Sequence, residues 1–128
     1  MTRQRPLRIM LIEDRTVAAI NLECLLEDQG HNITAIAATP LQAERVLRKD
    51  APELDLVILE ATLVGLPSVD LAARLERQGL PVVVTSTMPQ ADVAALGFDA
   101  PYLGQPFADD AVARAVAPFL GPESVSAA

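Results

Sequence analysis

Three carboxylates, two hydroxyls and an amide stand in this sequence where short apolar runs end. Run 7–12 empties into Glu13-Asp14, run 54–59 into Glu60, run 81–86 closes on Thr85-Ser86, and Gln105-Pro106 follows Tyr102-Leu103-Gly104. Carboxylates brought together from separate segments can hold a hard divalent cation, and one beside such a cation can accept a phosphoryl group. Three acids in one place also repel. The repulsion is relieved by a bound cation, by a raised pKa on one acid, or by a basic side chain, and Arg15 lies next to the acidic pair.

The elements that must position these residues follow from periodicity. Apolar runs at 7–12, 33–37, 54–59, 81–86 and 102–103 alternate with segments of helical period, which predicts five β-α units. The first helix, about 16–29, stops at Gly30 and turns Val17, Ile20, Leu22, Leu25 and Leu26 inward. Thr39-Pro40-Leu41-Gln42 reads as a capping box opening a helix to about Lys49, with Pro52 beyond it. Ser68 caps a third helix running to about Gln78, with Gly79 as its stop. The fourth helix spans only about 90–96. Asp109 and Asp110 open the fifth, which ends near 118–121. Right-handed crossovers then predict a doubly wound parallel sheet ordered 2-1-3-4-5, whose ligands bind beyond the carboxyl ends of the strands. Glu13, Asp14, Glu60, Thr85, Ser86 and Gln105 all fall there.

The 128 residues suit one domain, with residues 1–6 as an N-terminal extension, 7–121 as the domain and 122–128 as a mobile tail. A chain that is 51% hydrophobic, without Trp, builds its core from aliphatic side chains, as sheets covered on both faces do. The net charge of -7 opposes a nucleic-acid partner. A single cysteine, the lack of a long apolar span and the lack of a cleavable leader point to a cytoplasmic protein that does not enter a membrane.

At these residues the chain resembles the receiver domain of bacterial two-component response regulators, over about 7–120. Ile9-Met10-Leu11-Ile12-Glu13-Asp14 is similar to the family's first strand with its metal-binding acidic pair, and Leu56-Val57-Ile58-Leu59-Glu60 to its third strand with the phosphoacceptor position. In Pro81-Val82-Val83-Val84-Thr85-Ser86, Ser86 falls on the switch hydroxyl. Tyr102 falls on the switch aromatic, and Gln105-Pro106-Phe107 on a segment that normally reads lysine-proline-phenylalanine. The resemblance implies a flavodoxin-like receiver fold with a shortened fourth helix and a cis Gln105-Pro106 peptide. It also implies Mg²⁺ held by Glu13, Asp14, Glu60 and the backbone carbonyl of Thr62. Implied partners are a histidine kinase, a phosphotransfer protein or another regulator, with self-association through the fourth helix and fifth strand as a secondary expectation.

Two signature positions depart from the family pattern: Glu60 replaces aspartate and Gln105 replaces lysine. A misplacement of about 1 Å costs phosphoryl transfer on the order of a hundredfold. Losing the lysine removes a charge-assisted contact of roughly 1.5–3 kcal/mol. The expectation is a stand-alone pseudo-receiver of the phosphorelay, binding proteins without phosphate. The alternatives are residual phosphoryl transfer to Glu60, or a Glu60 that accepts a hydrogen bond from Ser86 or Thr85 and so mimics the activated state. A haloacid-dehalogenase-like phosphatase is the reading from another class, although Glu13-Asp14-Arg15-Thr16 lacks its two spaced aspartates. No catalytic residue is assigned. Simpler roles fit the remaining polar residues: Tyr102 as half-buried packing with a wet hydroxyl, Cys24 as a buried or half-buried apolar residue, His31 at the surface, and Asn21 as a hydrogen-bonded residue bordering the apolar face of the first helix.

Overall fold

Alternation along the strands decides which helices each side chain meets. In Arg8–Ile12 (β1), Ile9 and Leu11 enter one core while Met10 and Ile12 enter another. Leu56–Glu60 (β3) divides likewise, Leu56 and Ile58 against Val57 and Leu59. This period of two gives a sheet with two buried faces.

The computed structural model describes residues 5–50 and 53–121. Its main sheet is parallel and five-stranded, in the order β2-β1-β3-β6-β7, where β2 is Asn32–Ala37, β6 is Val82–Ser86 and β7 is Tyr102–Gly104. That is the expected 2-1-3-4-5 order, because β4 (Thr62–Leu63) and β5 (Leu66–Pro67) form a separate small hairpin. Leu22 and Leu26 of α1 (Thr16–Asp28) and Val112 and Val116 of α5 (Asp109–Val116) fill one core. Ala43 of α2 (Pro40–Asp50), Leu71 and Leu75 of α3 (Val69–Arg77) and Val93 of α4 (Gln90–Ala95) fill the other. None of the helices among the described residues is long and apolar enough to cross a membrane.

The helix ends depart in part from expectation. Gly30 and Gly79 stop α1 and α3 at φ +94 and +84, a backbone that a Cβ would strain. At α2, Thr39 Oγ1 accepts the Gln42 amide at 3.1 Å, but the Gln42 side chain reaches back to the amide of Ala38. Ser68 does not cap α3; its hydroxyl donates to the carbonyl of Glu60 at 2.6 Å, tying the helix start to the end of β3. β3 begins at Leu56, and just before it the Asp55 carboxylate accepts the Arg8 amide and the Arg5 guanidinium. α5 gives way to a 3-10 turn at Ala117–Phe119. Pro52, most of the N-terminal extension and the 122–128 tail lie outside the described residues.

Four exposure assignments are corrected. Val17 and Ile20 are 82% and 51% exposed, because the sheet side of α1 is formed by Ala19, Leu22 and Leu26. Cys24 is exposed. His31 is buried, its Nδ1 accepting the Leu7 amide at 3.0 Å. The helix stop at Gly30 turns the chain inward at His31, and Asn32 then pairs with the start of β1.

Candidate functional site

Strand phase brings the site together. Glu13, two residues beyond Leu11, and Glu60, two beyond Ile58, continue the side of the sheet that faces α1 and α5, as does Gln105 beyond Leu103. The three side chains meet: Gln105 Nε2 donates to Glu60 Oε1 at 2.9 Å and reaches Glu13 Oε1 at 3.4 Å. Asp14, in the opposite phase, turns away to accept the Val64 amide at 3.0 Å. It thereby holds the tip of the β4–β5 hairpin, where Val64 sits at φ +51.

Arg15 closes the cluster. Its Nη2 donates to Glu60 Oε1 at 3.1 Å and to Gln105 Oε1 at 2.6 Å, its Nε lies 3.7 Å from Glu13 Oε2, and its amide donates to that same oxygen at 3.0 Å. Glu60 Oε2 accepts the amide of Ala61 at 2.9 Å. Both Glu60 oxygens therefore have donors, and neither Ser86 nor Thr85 supplies one. Glu13 and Glu60 are buried, whereas the Arg15 side chain keeps 50% of its surface in water. Burial and the neighbouring Glu60 push the Glu13 pKa up to about 7, against the lowering effect of the Arg15 amide and guanidinium.

The switch residues engage the loop after β6. Ser86 Oγ accepts the Met88 amide at 2.9 Å, and the half-buried Tyr102 donates its hydroxyl to the Met88 carbonyl at 2.6 Å, so that hydroxyl is bonded to protein. The Gln105 amide donates to the Ser86 carbonyl at 2.9 Å, and the Gln105-Pro106 peptide is cis. Thr85 is buried, and its carbonyl accepts the Ala61 amide at 2.8 Å. Asp14, Arg15, Glu60, Thr62, Ser86, Thr87 and Met88 line a cleft of about 210 Å³.

Glu60 and Glu13 are joined by Arg15 and Gln105, and Asp14 is committed to Val64. Among the described residues no three or more His, Cys, Asp and Glu side chains group as metal ligands do. Sequence reasoning placed Arg15 beside the acids but left its role open, and it missed the hairpin that Asp14 holds. Strands of two residues are too short to show a period.

No family model and no curated protein matches the chain. Solved structures do. The PhyR response-regulator REC domain of Erythrobacter litoralis is 23% identical over 90% of either chain, with a TM-score of 0.76. PhyR from Brucella abortus is 25% identical, with 92% of this chain covered and a TM-score of 0.78. A PhyR stress response regulator is 28% identical, with 87% covered and a TM-score of 0.71. The chain spans 49% and 43% of the lengths of the last two, so it is similar to about half of each. The resemblance read from the sequence holds at the level of fold: the chain has the fold of response-regulator receiver domains.

Proposed function

We propose that this receiver domain acts in two-component signalling by binding proteins without being phosphorylated, with Glu60 in the place of the phosphoacceptor. The observation that carries this reading is the engagement of Glu60 Oε1 by both Arg15 and Gln105, while Oε2 shares the Ala61 amide with the Thr85 carbonyl. A nucleophile in phosphoryl transfer needs a lone pair aimed in line at phosphorus. Glu60 would first have to give up donors, including a guanidinium whose charge its carboxylate neutralises. Arg15 supplies from within the chain the positive charge that the resemblance assigns to a divalent ion and a lysine.

The clamp on Met88 supports the same reading. Ser86 and Tyr102 hold that residue's amide and carbonyl, so the segment from β6 into α4 is set without a phosphoryl group for Ser86 to follow. A histidine kinase, a phosphotransfer protein or another regulator is the class of partner that the resemblance to receiver domains suggests.

The test is intact mass after incubation with a small phosphoryl donor and Mg²⁺, native chain beside Glu60→Asp. The expected result is no adduct on the native chain. A hydroxylamine-labile phosphoryl group on native Glu60 overturns the proposal.

A further inference from the structure

The β4–β5 hairpin turns on Val64 and Gly65. Leu63 pairs with Leu66 and Thr62 with Pro67, so the loop is two residues long, and both of its residues have positive φ, +51 and +80. A two-residue turn of that kind matches the twist of its strands and is ordinarily built from Asn-Gly, Asp-Gly or Gly-Gly. Valine is poorly suited to it. The branched Cβ crowds the carbonyl that follows, and positive φ in such a residue marks strain. Among the described residues, Val64 is the one position other than glycine with positive φ.

Little apolar burial holds the tip of this hairpin in place. Val64 and Leu66 are 62% and 70% exposed, and of residues 62–67 only Leu63 is buried. The base is firmly tied: the Ser68 amide donates to the Ala61 carbonyl at 2.8 Å, and the Ser68 hydroxyl to the Glu60 carbonyl at 2.6 Å. Beyond that base, among the described residues, a single hydrogen bond joins residues 62–67 to another part of the chain. It runs from the Val64 amide to Asp14 Oδ2, 3.0 Å away and 50 positions earlier in sequence. The strained residue and the latched residue are the same one.

We propose that residues 62–67 form a strained strap, hinged at Ala61 and Ser68, which Asp14 latches shut and which opens as a unit when that bond breaks. Opening uncovers the apolar cavity of about 270 Å³ that Leu63, Val64, Leu66 and Pro67 share with Pro40 and Leu71. It also releases the Asp14 carboxylate to the cleft that Asp14 lines with Arg15, Glu60 and Thr62. The strap thus couples the apolar cavity to the carboxylate cluster through one bond. The coupling does not rest on Glu60 being unphosphorylated, since neither Glu60 nor its donors take part in the latch.

Amide hydrogen exchange of the full chain, followed by NMR without any phosphoryl donor, tests the strap. Val64 and Leu66 are expected to exchange through one shared local opening, far more readily than Leu59 and Val83 in the central strands. Asp14→Ala removes the latch and should lower the protection of both amides by about tenfold, the factor for a charge-assisted bond at the weak end of its range. Protection of Leu59 and Val83 stays unchanged and shows that the fold is intact. Val64→Asn, which accepts positive φ more readily, should raise the protection of the residue-64 and Leu66 amides by roughly threefold to tenfold. Unchanged protection in Asp14→Ala overturns the latch, and unchanged or lower protection in Val64→Asn overturns the strain. A change at residue 64 that leaves Leu66 unaffected overturns opening as a unit. Should Asp14→Ala disturb Leu59 and Val83, Asp14→Asn takes its place: it keeps an oxygen acceptor without the charge, so a smaller loss at both amides supports the latch and no loss overturns it.

Discussion

Arg15 Nη2 and Glu60 Oε1 meet at 3.1 Å across 45 residues of sequence, and that contact closes the carboxylate cluster from the solvent side. Glu60 is 5% exposed and Arg15 50%, so the pair joins a buried acid to a half-solvated base. Its value lies mainly in not leaving the acid without a cation, while water screens the attraction itself.

Arg15→Ala is therefore expected to cost about 1–2 kcal/mol in urea unfolding at neutral pH, the lower part of the range for a buried group losing a partner. Glu60→Gln in the same chain should recover part of that loss, because the amide needs no cation. Equal costs for Arg15→Ala with and without Glu60→Gln would separate the two residues energetically.

Restoring both altered signature positions should restore phosphoryl transfer further than restoring one. A lysine at 105 adds a charge-assisted contact of roughly 1.5–3 kcal/mol, so Glu60→Asp/Gln105→Lys is expected to label at least about tenfold faster than Glu60→Asp alone. The measurement is the rate of appearance of the phosphorylated mass. Equal rates would locate the obstacle elsewhere, with Arg15 the first residue to remove.

His31 is the one histidine of the chain. Burial holds its pKa below the ordinary 6.5. Folded, this base binds fewer protons than unfolded. Its contribution to stability is whole above the unfolded pKa and is lost as pH falls from there through the folded value. Glu13 titrates with the opposite sign in an overlapping range, so the effect is read as the difference between the native chain and His31→Leu. That difference should shrink on acidification below about pH 6.5. The single imidazole in the NMR spectrum should titrate below 6.5; a normal or raised midpoint contradicts the buried, Leu7-bonded geometry.

Gly104 carries no side chain because Tyr102 lies over it: an added Cβ would stand 3.0 Å from the Tyr102 hydroxyl and 3.2 Å from Cε2. Gly104→Ala should push the ring aside and break its bond to the Met88 carbonyl, at about 0.5–1.5 kcal/mol. With one tyrosine and no tryptophan, intrinsic emission reports on this residue alone. Unchanged emission and stability would mean that the ring accommodates a methyl group without leaving Met88.

The strands, the sheet order and the strand-end position of Glu13, Glu60, Ser86 and Gln105 were legible because each depends on local periodicity and on turn residues close by in sequence. Other features depend on partners far along the chain. His31 looked exposed because a glycine stop says where a helix ends and not where the next residue points; the free Leu7 amide, 24 positions earlier, draws it inward. Val17 and Ile20 looked buried because α1 is apolar on more than one side, and hydropathy alone does not choose between faces. Asp14 was grouped with Glu13 and Glu60 by type, while its opposite phase sent it to Val64.

By itself, the sequence determined a doubly wound sheet whose strands deliver carboxylates to one edge, since a period of two within strands and capped helices between them leave few other arrangements. Which positive group balances those carboxylates was decided only by tertiary structure. Arg15 reaches Glu60 across 45 residues and Gln105 across 90, and such meetings depend on the phase in which each strand ends and on the burial that makes an unpaired charge costly.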